Sequence, residues 1–178
     1  MNENIPHAVT ETAHDGRVDS EGQRKAMTLP TQIKVLVAID GSQASLEAAR
    51  HALRLHLLGL QCTFVLVTVQ ERIYNFELIL APGAGVLERL TGAVGERALA
   101  QARLLFDEAG VSYETEIGAG EPAPTLLVIA ARFGCEFIVM GARGHGALRG
   151  ALLGSVSQAV LHTSLMPIVI VRQDTEQL

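Results

Sequence analysis

Tryptophan is absent, and five phenylalanines and two tyrosines are the only aromatic side chains among 178 residues. That leaves little material for stacking single-stranded bases, and no RNP-type run of aromatic and basic residues is present. Basic residues are in the minority as well: 14 against 19 acids give a net charge of −5. No overall positive field therefore draws in a polyanion such as DNA, and any anion site must be local. Nucleic acid is not an expected partner. The two cysteines, Cys62 and Cys135, are far apart and lack the CxxC spacing of a zinc site or redox pair. They are read as buried thiols in a reducing cytosol. No run approaches the ~18 consecutive apolar residues of a membrane span. The N-terminus lacks the charged start and apolar stretch of a secretory leader, so a cytoplasmic protein is expected.

What is present is a core. With 48% hydrophobic and 19% charged residues the chain has the composition of a folded domain, and its length suits one domain. Residues 1–31 are polar and aperiodic and read as a disordered tail; 32–174 read as the domain, and 175–178 as a short C-terminal tail. From Ile33 onward, short aliphatic runs alternate with helical stretches. IKVLVAI (33–39), CTFVLVTV (62–69), SYETEIGAG (112–120), CEFIVMG (135–141) and PIVIVR (167–172) read as strands, the third alternating enough to suit an edge. Leu46, Ala49, Leu53 and Leu57 recur at helical spacing before Gly59. Ala98, Ala102, Leu105 and Ala109 do so before Gly110, and Leu126, Ile129, Ala130 and Phe133 before Gly134. A last helix is expected to present Val156, Ala159, Val160 and Thr163 on one face. Strands apolar on both faces that alternate with helices imply a five-stranded parallel sheet covered on both sides by right-handed crossovers, a Rossmann-like single domain. On such a sheet, ligands bind beyond the carboxyl ends of the strands where the connection direction reverses. The ends to inspect are Asp40-Gly41-Ser42, Gln70-Glu71, Gly118-Ala119-Gly120 and Met140-Gly141.

Five of the 17 glycines fall in residues 141–155, GARGHGALRGALLGS. A glycine-rich loop running into a helix start can turn successive N–H groups toward an anion. Arg143 and Arg149 add positive charge, and Ser155 and Ser157 stand at the start of the helix as caps or phosphate contacts. Such a loop can equally be a plain connection. Neither GxxxxGK[ST] nor GxGxxG is present, since Arg149 stands where the latter needs glycine.

The segment does carry G-x2-G-x9-G-[ST], as Gly141, Gly144, Gly154 and Ser155. Together with KVLVAIDGS (34–42), GAGEPAPTLL (118–127) and MPIVIVR (166–172), it resembles the universal stress protein family over residues 33–172. The resemblance implies an adenine nucleotide alpha-hydrolase-like fold and ATP binding, with Mg2+ accompanying the nucleotide. By the same resemblance Gly141 and Gly144 would let the loop pass close to ribose and phosphates. Gly154, Ser155 and Ser157 would hold the phosphates through N–H and hydroxyl groups, with Val156 beside them. Asp40 would approach the ribose and the metal–phosphate region, its alternative role being to cap the first helix. Ala38, Val69 and Met140 would line the adenine pocket, with backbone groups at Val69 reading the base edge; Met140 can equally be ordinary core. Arg143 would favour phosphate by charge and paired hydrogen bonds. His145 could contact a phosphate or stand idle in the loop. His51 and His56 are not spaced as a metal pair and read as surface residues.

The family likeness further implies a homodimer through the last strand, where Val169, Ile170 and Val171 form an apolar edge. Residues 71–92 contain an apolar cluster beside a Pro-Gly turn. They read as a packed connection, a lid or a surface for a protein partner. The function implied is a nucleotide-dependent stress-response or regulatory module without strong catalysis, because no base or activated nucleophile stands out. The alternatives are an adenylate-forming or ATP-hydrolysing enzyme of the same fold, although neither SGGxDS nor a HIGH-like motif appears, or a dimeric interaction module that needs no nucleotide.

Overall fold

The computed structural model describes residues 32–71, 84–144 and 152–172. The expected tails, most of the 71–92 segment, and His145 and Arg149 of the glycine loop lie outside the described residues. The elements run β1 (Ile33–Ala38), α1 (Gln43–Leu57), β2 (Cys62–Gln70), α2 (Ala84–Glu108), β3 (Tyr113–Ala119), α3 (Pro122–Phe133), β4 (Phe137–Gly141), α4 (Ser155–Thr163) and β5 (Ile168–Val171). All strands pair in parallel, in the order β3-β2-β1-β4-β5.

Strand position follows strand chemistry. Central β1 has Val35, Leu36 and Val37 all buried, because helices cover both its faces. SYETEIGAG forms the edge strand β3 as expected, and its neighbouring Glu114 and Thr115, on opposite faces, are both exposed. The register sets Ala38 beside Val67 on one side and Met140 on the other. The sheet is therefore wound outward in opposite directions from the gap between β1 and β4.

Two cores result. On one face α1 and α2 cover Val35, Val37, Phe64, Leu66 and Val139, with Leu99, Ala102 and Phe106 of α2 fully buried. On the other, Leu126, Ile129 and Ala130 of α3 and Val160 of α4 cover Leu36, Val65, Val67, Ile138 and Met140. Both thiols are free and buried, as expected from their spacing: Cys62 in the first core and Cys135 in the second.

Three expectations need correction. Helix α2 begins at Ala84, well before Ala98, so the end of the 71–92 segment is helix and not a connection. Gly95 does not break it. A Cβ there would come within 2.8 Å of the Ile117 side chain, so the glycine admits β3 against the helix. On α4 the buried positions are Ser157 and Val160, while Ala159 and Thr163 face solvent. His56 is not a bare surface residue. Its ring packs edge-on against Phe64 at 5.8 Å, and its Nδ1 accepts the Cys62 N–H at 3.4 Å.

Candidate functional site

Two turns meet at the carboxyl ends of β1 and β4. After β1 the chain bends at Asp40-Gly41-Ser42, with Gly41 at φ 82°. Asp40 does not cap α1. That role belongs to Ser42, whose Oγ accepts the Ser45 N–H at 3.2 Å. The Asp40 carboxylate accepts the Ser42 N–H at 2.9 Å through Oδ1, an Asx turn that fixes the acid at the strand end.

After β4, Ala142 is a junction. Its N–H donates to Val171 O at 2.7 Å, and its carbonyl accepts the Gly154 N–H at 2.8 Å. Gly154 is the N-cap of α4 and supplies no side-chain cap. The helix's own ladder starts with the Gln158 N–H on Gly154 O at 3.0 Å, so the N–H groups of Ser155, Val156 and Ser157 precede it. These are the positive end of the helix dipole. The Ser157 hydroxyl is already committed, donating to Gly141 O at 2.9 Å, and Ser157 is buried. It cannot also donate to an anion, which narrows the expected role of Ser157 to its N–H. The Ser155 side chain remains exposed.

Between these turns opens a cavity of about 330 Å³, within the range of small-molecule sites. Eleven candidate residues read from the sequence line it: Ala38, Asp40, Val69, Met140, Gly141, Arg143, Gly144, Gly154, Ser155, Val156 and Ser157; His145 and Arg149 lie outside the described residues. One end is aliphatic, from Ala38, Val67, Val69, Leu126 and Met140, and the other holds Asp40, Arg143 and the start of α4. Glu71, at a strand end marked for inspection, lines it as well, and five lining residues were not singled out as site candidates from the sequence: Ile39, Ser45, Val67, Pro122 and Leu126. Strand periodicity contains the signal for one of them, because Val67 shares a face with Val69.

The edge of β2 completes the apolar end. The Ile39 N–H donates to Val67 O at 2.7 Å, so the peptide groups of Val67 point toward β1. Two residues on, those of Val69 point the same way, but β1 has ended at Ala38. The Val69 N–H and C=O thus face the cavity and not a neighbouring strand.

The motif glycines are required for different reasons. A Cβ on Gly141 would lie 2.8 Å from the backbone carbon of Ala44, so the glycine there lets α1 approach the end of β4. A Cβ on Gly144 would collide with Asp40 Oδ2. At Gly154 the nearest atom would be Arg143 Cα at 3.5 Å, an ordinary contact. Among the described residues, no protein atom demands glycine at 154. Nor, among them, does any cluster of three or more His, Cys, Asp or Glu stand together as a metal cage. A divalent ion fits only in the manner of Mg2+, held by a carboxylate such as Asp40 together with ligand phosphates and water.

The fold defines a doubly wound parallel α/β protein with a cavity at its topological switch point. Residues 33–172 match the universal stress protein family, and the chain belongs to that family. It is 34% identical over 145 residues to universal stress protein YxiE of Bacillus subtilis, covering 78% of this chain and 98% of the relative. It is 29% identical over 145 residues to universal stress protein MJ0531 of Methanocaldococcus jannaschii, covering 81% and 84%. Among solved structures it is similar to hypothetical protein MJ0577, with a TM-score of 0.69 and 22% identity over 81% of this chain and 98% of that one. It is also similar to a universal stress protein in complex with cAMP, with a TM-score of 0.55 and 25% identity over 79% and 96%. A universal stress protein family protein from Arabidopsis thaliana with AMP bound shares the fold, with a TM-score of 0.59 and 22% identity over 81% and 94%.

Proposed function

We propose that this protein binds ATP in the switch-point cavity and acts as a nucleotide-dependent stress-response module without strong catalysis. The observation that carries the reading is the division of one cavity into an aliphatic end at a free strand edge and a polar end at a helix start. Adenine lies between Ala38, Val69 and Met140, its edge meeting the peptide groups of Val69. With no aromatic side chain lining the cavity among the described residues, the base is held by aliphatic contacts alone. Asp40 takes the ribose and the Mg2+ that accompanies the phosphates. The N–H groups of Ser155, Val156 and Ser157, the Ser155 hydroxyl and the Arg143 guanidinium take the phosphates. Gly141, Gly144 and Gly154 keep the path between these groups open. A related fold at 25% identity in complex with cAMP is consistent with an adenine nucleotide here.

The wider reading is a cytoplasmic homodimer joined through β5. That strand has a neighbour on one side only, and all four of its residues are half-buried. Residues 71–92 are the proposed contact for a protein partner. Mass spectrometry of nucleotide copurifying with the protein, together with calorimetric ATP titration, tests the central claim. Protein that carries no nucleotide and gives no heat or thermal shift at saturating Mg·ATP rejects it. Formation of AMP and pyrophosphate with a second substrate would instead assign an adenylate-forming enzyme.

A further inference from the structure

Gly144 is a glycine without a backbone reason to be one. Its φ lies outside the left-handed region, unlike Gly41 or Gly120, so an L side chain is permitted by conformation. The space a Cβ would take is not empty either. Among the described residues the heavy atoms within 4 Å of that position belong to one group, the Asp40 carboxylate: Oδ2 in collision and Cγ at 3.5 Å. Asp40 comes from the turn after β1 and Gly144 from the loop after β4, and the two strands are paired through Ala38 and Met140. The carboxylate therefore reaches across the switch point and lies where the missing side chain would be. Its other oxygen is held by the Ser42 N–H at 2.9 Å.

We propose that Gly144 is a positioning residue for Asp40, its missing side chain being the space in which the carboxylate is seated. The turn after β1 and the loop after β4 thereby present one continuous polar surface. What that surface meets, ribose and metal-bearing phosphate, rests on the nucleotide reading given above; the seating itself does not. An added methyl group displaces the far end of a short side chain more readily than it displaces two backbone segments. The carboxylate then leaves both its seat and the Ser42 N–H. Gly144 thus serves the ligand through Asp40, whereas Gly154 borders the cavity without any such partner.

The test is a double-mutant cycle on the full chain, comparing wild type, G144A, D40A and D40A/G144A. Two quantities are read: the Kd for Mg·ATP by calorimetry, and the hydrogen-exchange rate of the Ser42 amide in ligand-free protein by NMR. G144A is expected to weaken Mg·ATP binding by roughly tenfold, close to the loss in D40A, while adding G144A to D40A costs less than about twofold. The Ser42 amide should exchange faster in G144A and in D40A, and no faster in the double variant. Equal losses from G144A in both backgrounds, with Ser42 exchange unchanged, would show that Gly144 meets the ligand directly and would overturn the proposal. If G144A alone fails to fold, recovery of folding in D40A/G144A supports the seating and continued failure rejects it. If wild type binds no adenine nucleotide, the nucleotide reading falls, and the Ser42 amide alone decides the seating.

Discussion

The two faces of the sheet bury similar aliphatic material but end differently. On the α1/α2 face a run of edge-on rings, His56 to Phe64 at 5.8 Å, Phe64 to Phe106 at 5.0 Å and Phe106 to Tyr113 at 5.6 Å, packs within the core. On the α3/α4 face the packing is aliphatic around Val67, Leu126 and Met140, and it opens at the carboxyl end into the cavity. Ring packing thus concentrates on the side away from the cavity, and the side that opens into it keeps smaller groups whose tops remain accessible. If the cavity holds the proposed nucleotide, stability and binding lie on opposite sides of one sheet, and substitutions on the two sides should separate them.

The sharpest separation is expected at Phe106, which is fully buried against Phe64. Phe106→Ala should cost ~3–5 kcal/mol of stability and lower Tm by roughly 10 °C or more. Below its melting range the variant should retain its Mg·ATP affinity. Denaturant unfolding beside calorimetry checks this, and an affinity loss matching the stability loss would dissolve the contrast between the faces. Gly154→Val should do the reverse: valine fits the protein contacts at 3.5 Å or more but extends toward the cavity. Affinity should fall at least about 30-fold, roughly 2 kcal/mol, with Tm within about 3 °C of wild type. Arg143→Ala removes an exposed charge from the cavity rim. ATP affinity should drop about tenfold and AMP affinity less, with the difference shrinking at high salt. Titrations at two ionic strengths would reveal a loss equal for both nucleotides, which would place Arg143 away from the outer phosphates.

The smallest effect concerns the thiols, one in each core. Burial pushes the Cys135 thiol up to about 11 from an ordinary 9.0, helped by Glu114 and opposed by Lys34. Burial also raises Cys62, with Glu136 adding to it. Because the folded state holds its proton longer than the unfolded state, this contribution to stability is whole below about pH 9. It declines as pH rises toward about 11. Unfolding midpoints at pH 8, 9 and 10 should fall in that order, less steeply in Cys135→Ala. At pH 8 a disulfide reagent should label both native thiols far more slowly than free cysteine, and rapid labelling of one alone would mark its face as the looser.

The strands were legible because they depend on period and position. Apolar runs located the five strands, and strand ends beside a switch point located Asp40 and Met140, while Ala38, Val69 and the pocket role of Met140 came through the family resemblance. The start of α2 was not legible, since the helical spacing was taken only from Ala98 onward; Gly95 within the helix answers to Ile117 of β3. The stripe on α4 was misplaced for a similar reason. Spacing identifies a face, but the neighbours of a nine-residue helix decide how far it is turned. The glycine motif was visible as a pattern, but not the separate purpose of each member. Gly141 answers to Ala44 and Gly144 to Asp40, and both requirements arise between residues nearly a hundred positions apart.

The peptide of Ala142 has a consequence for how the site can vary. It holds β5 through its N–H and the start of α4 through its carbonyl, so Ala142 and Gly154, the two feet of one excursion of the chain, are clasped together. Once the feet are joined, lengthening what runs between them costs little: doubling a loop adds only ~0.6 kcal/mol of closure entropy. A change in chain length between Ala142 and Gly154 is therefore expected to leave this clasp, and the sheet beneath it, in place.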